Sequence, residues 1–165
     1  MFQDSRINKV LYGGDYNPEQ WPEEIWEEDM RLFKLAGIDE VTLNVFSWAA
    51  LQPSEDTYNF EKLDKIMDLV EANGLKVFLA TSTAAHPAWM AKRHPDILRT
   101  EFSGMKRKFG SRHNSCQNSP TYQKYSVLLA KKLAERYGER ECVIGWHICN
   151  EYGGECYCEN CEKQF

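Results

Sequence analysis

With 165 residues, 42% of them hydrophobic, the chain is long enough to bury a core as a single domain and too apolar to be a disordered polypeptide. Its formal net charge of −5 argues against a nucleic-acid partner, which would select a basic face. No apolar run approaches the roughly 20 residues of a membrane span, and residues 1–10 carry Gln3, Asp4, Arg6, Asn8 and Lys9 rather than an apolar signal core, so a cytoplasmic protein without membrane contact is expected.

The chain then alternates two hydrophobic periods. Residues 10–12 form a short apolar run that ends at Gly13-Gly14 and predicts strand one, followed by a loop over 15–21. Pro22 suits the first turn of a helix, where its missing N–H would be unpaired in any case. Glu23, Glu24, Glu27 and Glu28 put negative charge at the favourable end of the helix dipole. Ile25, Met30, Phe33 and Leu35 give that helix an apolar side, and Gly37 ends it. Residues 41–46 predict strand two from their β-branched and aromatic content. A loop over 47–59 leads to a helix over 60–73, with Leu63, Ile66, Met67 and Val70 at helical spacing and Asn73-Gly74 as its stop. Strand three is predicted at 75–80. A long loop, 81–118, follows; loops of that length usually carry function, and this one has room for a short helix over 87–93. Ser119-Pro120 opens a helix to Tyr137, Gly138 stops it, and 143–149 predicts strand four.

A β-α-β-α-β-loop-α-β order implies an α/β fold with parallel strands joined by right-handed crossovers. An open doubly wound sheet has a similar rhythm. However, the first strand is followed by Gly13-Gly14-Asp15-Tyr16-Asn17-Pro18 and not by a phosphate-cradling G-x-G-x-x-G. In parallel barrels the chemistry sits on the loops after the strands. Here those positions hold Asp15, Tyr16 and Asn17; Asn44, Phe46 and Trp48; Thr81, Ser82, Thr83 and His86; and Asn150 with Glu151. Carboxylates, amides, hydroxyls and an indole without a basic cluster suit a neutral polyhydroxylated ligand. The 13% aromatic content, with five tryptophans, fits either sugar-stacking platforms or an ordinary core.

The sharpest feature is Trp146-His147-Ile148-Cys149-Asn150-Glu151-Tyr152-Gly153, where an apolar strand runs out and presents an amide beside a carboxylate. A glycosidase needs one carboxyl to protonate the departing glycosidic oxygen, and an amide near the sugar 2-hydroxyl strengthens its bond as charge develops. The plain structural alternative is a carboxylate in a turn. His147 approaches Glu151 along the same strand, either lining the site and tuning the acid or simply packed. Cys142 and Cys149 read as small buried apolar residues. The remaining thiols include Cys156-Tyr157-Cys158-Glu159-Asn160-Cys161, a C-x-C-x-x-C whose three thiolates can face one tetrahedral zinc and leave one position open. In a chain without an export signal, metal binding is a stronger reading of clustered cysteines than disulfides.

Taken together, Tyr12-Gly13-Gly14-Asp15-Tyr16-Asn17-Pro18-Glu19-Gln20-Trp21-Pro22, Asn44-Val45-Phe46-Ser47-Trp48-Ala49, Ala80-Thr81-Ser82-Thr83-Ala84-Ala85, Arg112-His113-Asn114-Ser115-Cys116, Asn150-Glu151-Tyr152-Gly153 and the cysteine cluster make the chain resemble glycoside hydrolase family 42, the retaining β-galactosidases. The resemblance spans nearly the whole chain in order. It implies the N-terminal half of a (β/α)8 TIM barrel, incomplete in these residues, with Glu151 as acid/base and the nucleophile after a later strand. It assigns galactose contacts to Asn150 and Arg112; on chemistry alone Arg112 reads as a solvated charge. It places the fourth thiolate at Cys116, so that Cys116, Cys156, Cys158 and Cys161 would close a structural zinc site, with four free thiols as the alternative. It also implies a homotrimer. His86, where the family often has proline, and Cys149, where Asp or Ser is common, depart from the pattern. Asp15 and Glu19 are not supported as a second catalytic carboxylate.

Two other readings stay open. One is a zinc-stabilised module that binds carbohydrate or protein without chemistry. The other is a hydrolase with catalytic zinc, which four thiolates disfavour because no coordination position remains. On the glycosidase reading, residues 1–165 alone lack the second carboxylate and should not hydrolyse galactosides.

Overall fold

The structure, a computed structural model, describes residues 6–110 and 113–165. Four strands, β1 (Gly13–Tyr16), β2 (Glu40–Leu43), β3 (Lys76–Ala80) and β4 (Val143–His147), form one parallel sheet in the order β1-β2-β3-β4. The connections carry α1 (Trp26–Ala36), α2 (Trp48–Leu51), α3 (Glu61–Ala72), α4 (Ala88–Arg93) and α5 (Pro120–Tyr137), and α6 (Glu159–Gln164) follows β4. Sequential parallel neighbours with a helix in each crossover are the repeating β/α units of a barrel.

The core lies between the sheet and its crossover helices. Leu63, Ile66, Met67 and Val70 recur on one face of α3, and Tyr122, Tyr125, Leu129, Leu133 and Tyr137 on one face of α5. They share a single buried cluster with Val41, Leu43, Val77 and Leu79. The intervening strand residues Thr42, Phe78 and Gly145 are in register with one another on the opposite face. α1 ends as predicted at Gly37, whose φ of 72° is left-handed. Ser119 caps α5 by accepting from the Tyr122 N–H at 3.2 Å, and its hydroxyl donates to Asp96 at 2.7 Å.

Strand one corrects the sequence expectation. It is not 10–12, whose Val10 is 93% exposed, but Gly13–Tyr16. The glycine pair does not terminate the strand; it begins it. A Cβ on Gly13 would lie 1.8 Å from the Glu40 carbonyl oxygen, so only glycine lets β1 approach β2 there. Gly13→Ala is therefore expected to destabilise the fold by about 1–3 kcal/mol, the range of an overpacked site. Urea unfolding would read this as a lower midpoint with an unchanged slope; an unaltered midpoint would refute the close-approach argument.

The remaining boundaries shift by a few residues, with β2 ending at Leu43 and β4 at His147, because the chain turns into loops before the apolar runs end. The loop after β2 holds α2 and is pinned to later elements by Glu55. Tyr125, Arg93 and His94 all donate to this carboxylate and hold its pKa down to about 2. The long segment after β3 is ordered by α4, a 3-10 turn at Pro95–Ile97 and antiparallel bridges Leu98–Ser115 and Thr100–Lys106.

Candidate active site and metal centre

The carboxyl ends of β2, β3 and β4 are stitched together by side chains. The Asn44 amide donates to the Ala80 carbonyl at 3.2 Å, and the Ser82 hydroxyl donates back to the Asn44 carbonyl. The Thr81 hydroxyl meets Thr83 at 3.0 Å and accepts from the Cys149 N–H at 3.1 Å. Four non-glycine residues of these ends have left-handed backbone: Asn44 (φ 71°), Ser82 (60°), Cys149 (61°) and Glu151 (48°). Such conformations persist only where surrounding contacts over-determine them, and they concentrate at functional sites.

Glu151 leaves the end of β4 with 64% of its side chain exposed. Asn150 beside it is half-buried. Across from Glu151 stands His113, whose Nε2 lies 3.8 Å from Oε2. His113 is itself left-handed, at φ 60°, and its N–H meets the Ala84 carbonyl at 3.4 Å. Sequence reasoning left His147 as either tuning the acid or simply packed; a histidine that does meet Glu151 is His113, from the preceding loop. The clue lay in its place inside the Arg112-His113-Asn114 motif, not in its spacing from Glu151. Arg112 falls outside the described residues.

His86, the departure from proline, is 5% exposed and its Nδ1 meets the Ser115 hydroxyl at 2.6 Å. Burial pushes its pKa down to about 4, so it is neutral at ordinary pH. Its ring ties the loop after β3 to the segment that carries His113 and Asn114. Ser115 is also held through its carbonyl, which accepts from buried Arg99 at 2.8 Å. Trp48, one of the aromatics that suit either a sugar-stacking platform or a core, is fully buried and donates to Gln52 at 2.8 Å, a core role; Phe46 is exposed. Glu19 accepts from Ser47 at 2.9 Å, a turn-stabilising role.

Cys116, Cys156, Cys158 and Cys161 converge, with all four sulfurs within 4.8 Å of one another. Cys116 Sγ is 3.5 Å from both Cys158 and Cys161. A tetrahedron with metal–sulfur bonds of about 2.3 Å has edges of about 3.8 Å, so the donor set fits one tetrahedral ion with only small adjustment. The Thr100 N–H approaches Cys156 Sγ at 3.4 Å, and the Asn118 amide approaches Cys161 Sγ at 3.5 Å; such outer contacts orient thiolate ligands. Burial and the neighbouring Cys158 and Cys161 thiols push the Cys116 thiol up. Burial also opposes ionisation of Cys158, but the Cys161 N–H, the Cys116 and Cys156 thiols and the Asn160 N–H outweigh it and bring Cys158 down to about 7. The four-cysteine cluster can hold a metal, and it joins the segment before α5 to the one after β4. Cys142 and Cys149 are buried and take no part in it. Among the described residues no helix is long and apolar enough to cross a membrane.

Parallel β/α units with an amide–carboxylate pair projecting from the carboxyl end of β4 place the chain among β/α-barrel proteins whose chemistry lies on that rim. The family profile of glycoside hydrolase family 42, described as Beta-galactosidase, matches residues 15–165, and the chain belongs to this family. It is 63% identical over 163 residues to beta-galactosidase BgaP of Planococcus sp. (strain L4), covering 98% of this chain and 24% of that protein. It is 49% identical over 161 residues to beta-galactosidase LacZ of Lactobacillus acidophilus, with coverage of 98% and 24%. The crystal structure of beta-galactosidase from Bacillus circulans sp. alkalophilus superposes with a TM-score of 0.94 at 59% identity, over 97% of this chain and 24% of that one. The chain thus spans about a quarter of the length of these relatives.

Proposed function

We propose that residues 1–165 are the N-terminal portion, with the first four strands, of a single barrel catalytic domain in a cytoplasmic retaining glycosidase that removes terminal non-reducing β-D-galactose from β-galactosides. Glu151 is the acid/base, Asn150 and Arg112 hold the galactose, and a glutamate on a strand outside these residues is the nucleophile. Cys116, Cys156, Cys158 and Cys161 hold a structural zinc, and the complete enzyme is a homotrimer.

The observation that carries the reading is the placing of Asn150-Glu151 after the end of β4, with Glu151 exposed and left-handed, in a chain whose relatives are named beta-galactosidases. In a retaining pair the two carboxyl groups stand about 5–5.5 Å apart. The nucleophile attacks the anomeric carbon while Glu151 gives its proton to the glycosidic oxygen, and the C–O bond breaks. Glu151, now a carboxylate, takes a proton from water as that water displaces the nucleophile. β1 and β4 each have one strand neighbour among the described residues, which fits a sheet completed by further strands.

The test follows an aryl β-galactoside with the complete enzyme by proton NMR. β-Galactose is expected as the first-formed anomer, with an aryl β-glucoside turned over far more slowly. First-formed α-galactose, or no hydrolysis of either glycoside, would overturn the proposal.

A further inference from the structure

We propose that His113 is a positioning residue for the acid/base, holding Glu151 Oε2 so that Oε1 faces the glycosidic oxygen; the inference rests on the acid/base reading of Glu151. Three observations converge on it. His113 Nε2 and Glu151 Oε2 are 3.8 Å apart, inside ion-pair range and one small side-chain rotation from a hydrogen bond. Nε2 is fully buried and has no hydrogen-bond partner. A buried polar nitrogen is normally satisfied, and the Glu151 carboxylate is an acceptor 3.8 Å from it. Both residues also hold left-handed backbone, φ 60° at His113 and 48° at Glu151, a strained conformation that concentrates at functional sites. Catalytic hydrogen bonds in unliganded sites are often long and tighten around substrate.

The chemistry gives the contact a purpose. The Glu151 side chain is largely exposed, and the orientation of its carboxyl decides which oxygen faces the leaving group. With Oε2 held by Nε2–H, the proton resides on Oε1. As Oε1 gives that proton to the glycosidic oxygen, negative charge grows over the carboxylate. The Nε2–H···Oε2 bond becomes charge-assisted and strengthens in the transition state. Nε2 is buried, so His113 does not itself reach substrate.

The test uses the complete enzyme with His113→Ala, His113→Gln and Glu151→Ala, each assayed on an alkyl β-galactoside and on 2,4-dinitrophenyl β-galactoside. The dinitrophenolate leaves without protonation, so kcat/KM for it bypasses the acid. For His113→Ala, kcat/KM on the alkyl substrate is expected to fall at least about tenfold, the worth of a hydrogen bond to a charged group. On the dinitrophenyl substrate it should stay within about twofold. His113→Gln, whose amide N–H can replace Nε2–H, should recover most of the alkyl activity. An alkyl kcat/KM unchanged in His113→Ala, equal losses on both substrates, or a glutamine variant no better than alanine would overturn the proposal while Glu151→Ala remained defective. A Glu151→Ala enzyme with undiminished alkyl activity would instead remove the acid/base reading and this inference with it.

Discussion

Glu151→Ala in the complete enzyme is expected to lower kcat/KM for alkyl β-galactosides by about 10²–10⁴-fold, the usual worth of a positioned general acid. The loss should be selective. For 2,4-dinitrophenyl β-galactoside, whose leaving group needs no proton, kcat/KM should stay near its original value. Turnover of that substrate should nonetheless slow, because the galactosyl–enzyme has lost the base that activates water. Added azide restores it: the anion attacks the anomeric carbon without surrendering a proton, displaces the nucleophile, and leaves β-galactosyl azide. That product, identified by mass and by its anomeric coupling, would establish both the role of Glu151 and retention of configuration. Equal losses on both substrates, with no azide product, would move Glu151 from chemistry to structure. The geometry favours the first outcome. Glu151 ends no helix among the described residues; its side chain, 64% exposed, follows the end of β4 with His113 against it.

Loss of the proposed zinc from the cysteine cluster is the second large expected effect. Elemental analysis of the complete enzyme is expected to give one zinc per chain, and Cys116→Ser to abolish it. Cys116 is the ligand that counts most for the fold, being fully buried in the segment before α5, while the other three lie on the short segment after β4. Removing it would leave three thiolates on one local loop and cut the metal's link between the two segments. When free zinc exceeds its dissociation constant 1,000-fold, linkage contributes about 4 kcal/mol to whatever structure the bound state requires. Chelation should therefore expose the segments carrying Cys116 and Cys156 to protease. It should also reduce activity, since the same segments carry His113 and Glu151, and zinc should restore both. The ligands bind as thiolates, so uptake releases protons and weakens as pH falls. A metal-free enzyme with full activity and protease resistance would show the thiols to be a packing cluster and no more.

Much of the fold was legible because its units are local. Helical spacing in α3 and α5, the Ser119-Pro120 start and the Gly37 stop depend on neighbours within a turn or two, and each element formed where its pattern predicted. Strand one was misplaced for an equally physical reason. The apolar run at 10–12 has the composition of a strand, but which residues pair is set by how closely β2 can approach, and only Gly13 admits the Glu40 carbonyl. Trp48 shows the same limit: an indole in a loop after a strand suits a sugar platform or a core equally well, and its burial against Tyr122 decides for the core.

By itself the sequence determined the alternation of β and α units, the placing of Asn150-Glu151 at the end of a strand, and the C-x-C-x-x-C cluster, because each is written in residues close along the chain. The tertiary structure decided what meets across the sheet's rim, His113 against Glu151 and His86 against Ser115, and it brought Cys116, already assigned by the family resemblance, to the other three sulfurs. Those encounters join segments on different β/α units. Their geometry follows from the stacking of crossover helices and from strained loops at the strand ends, and side-chain periodicity along one segment holds no record of either.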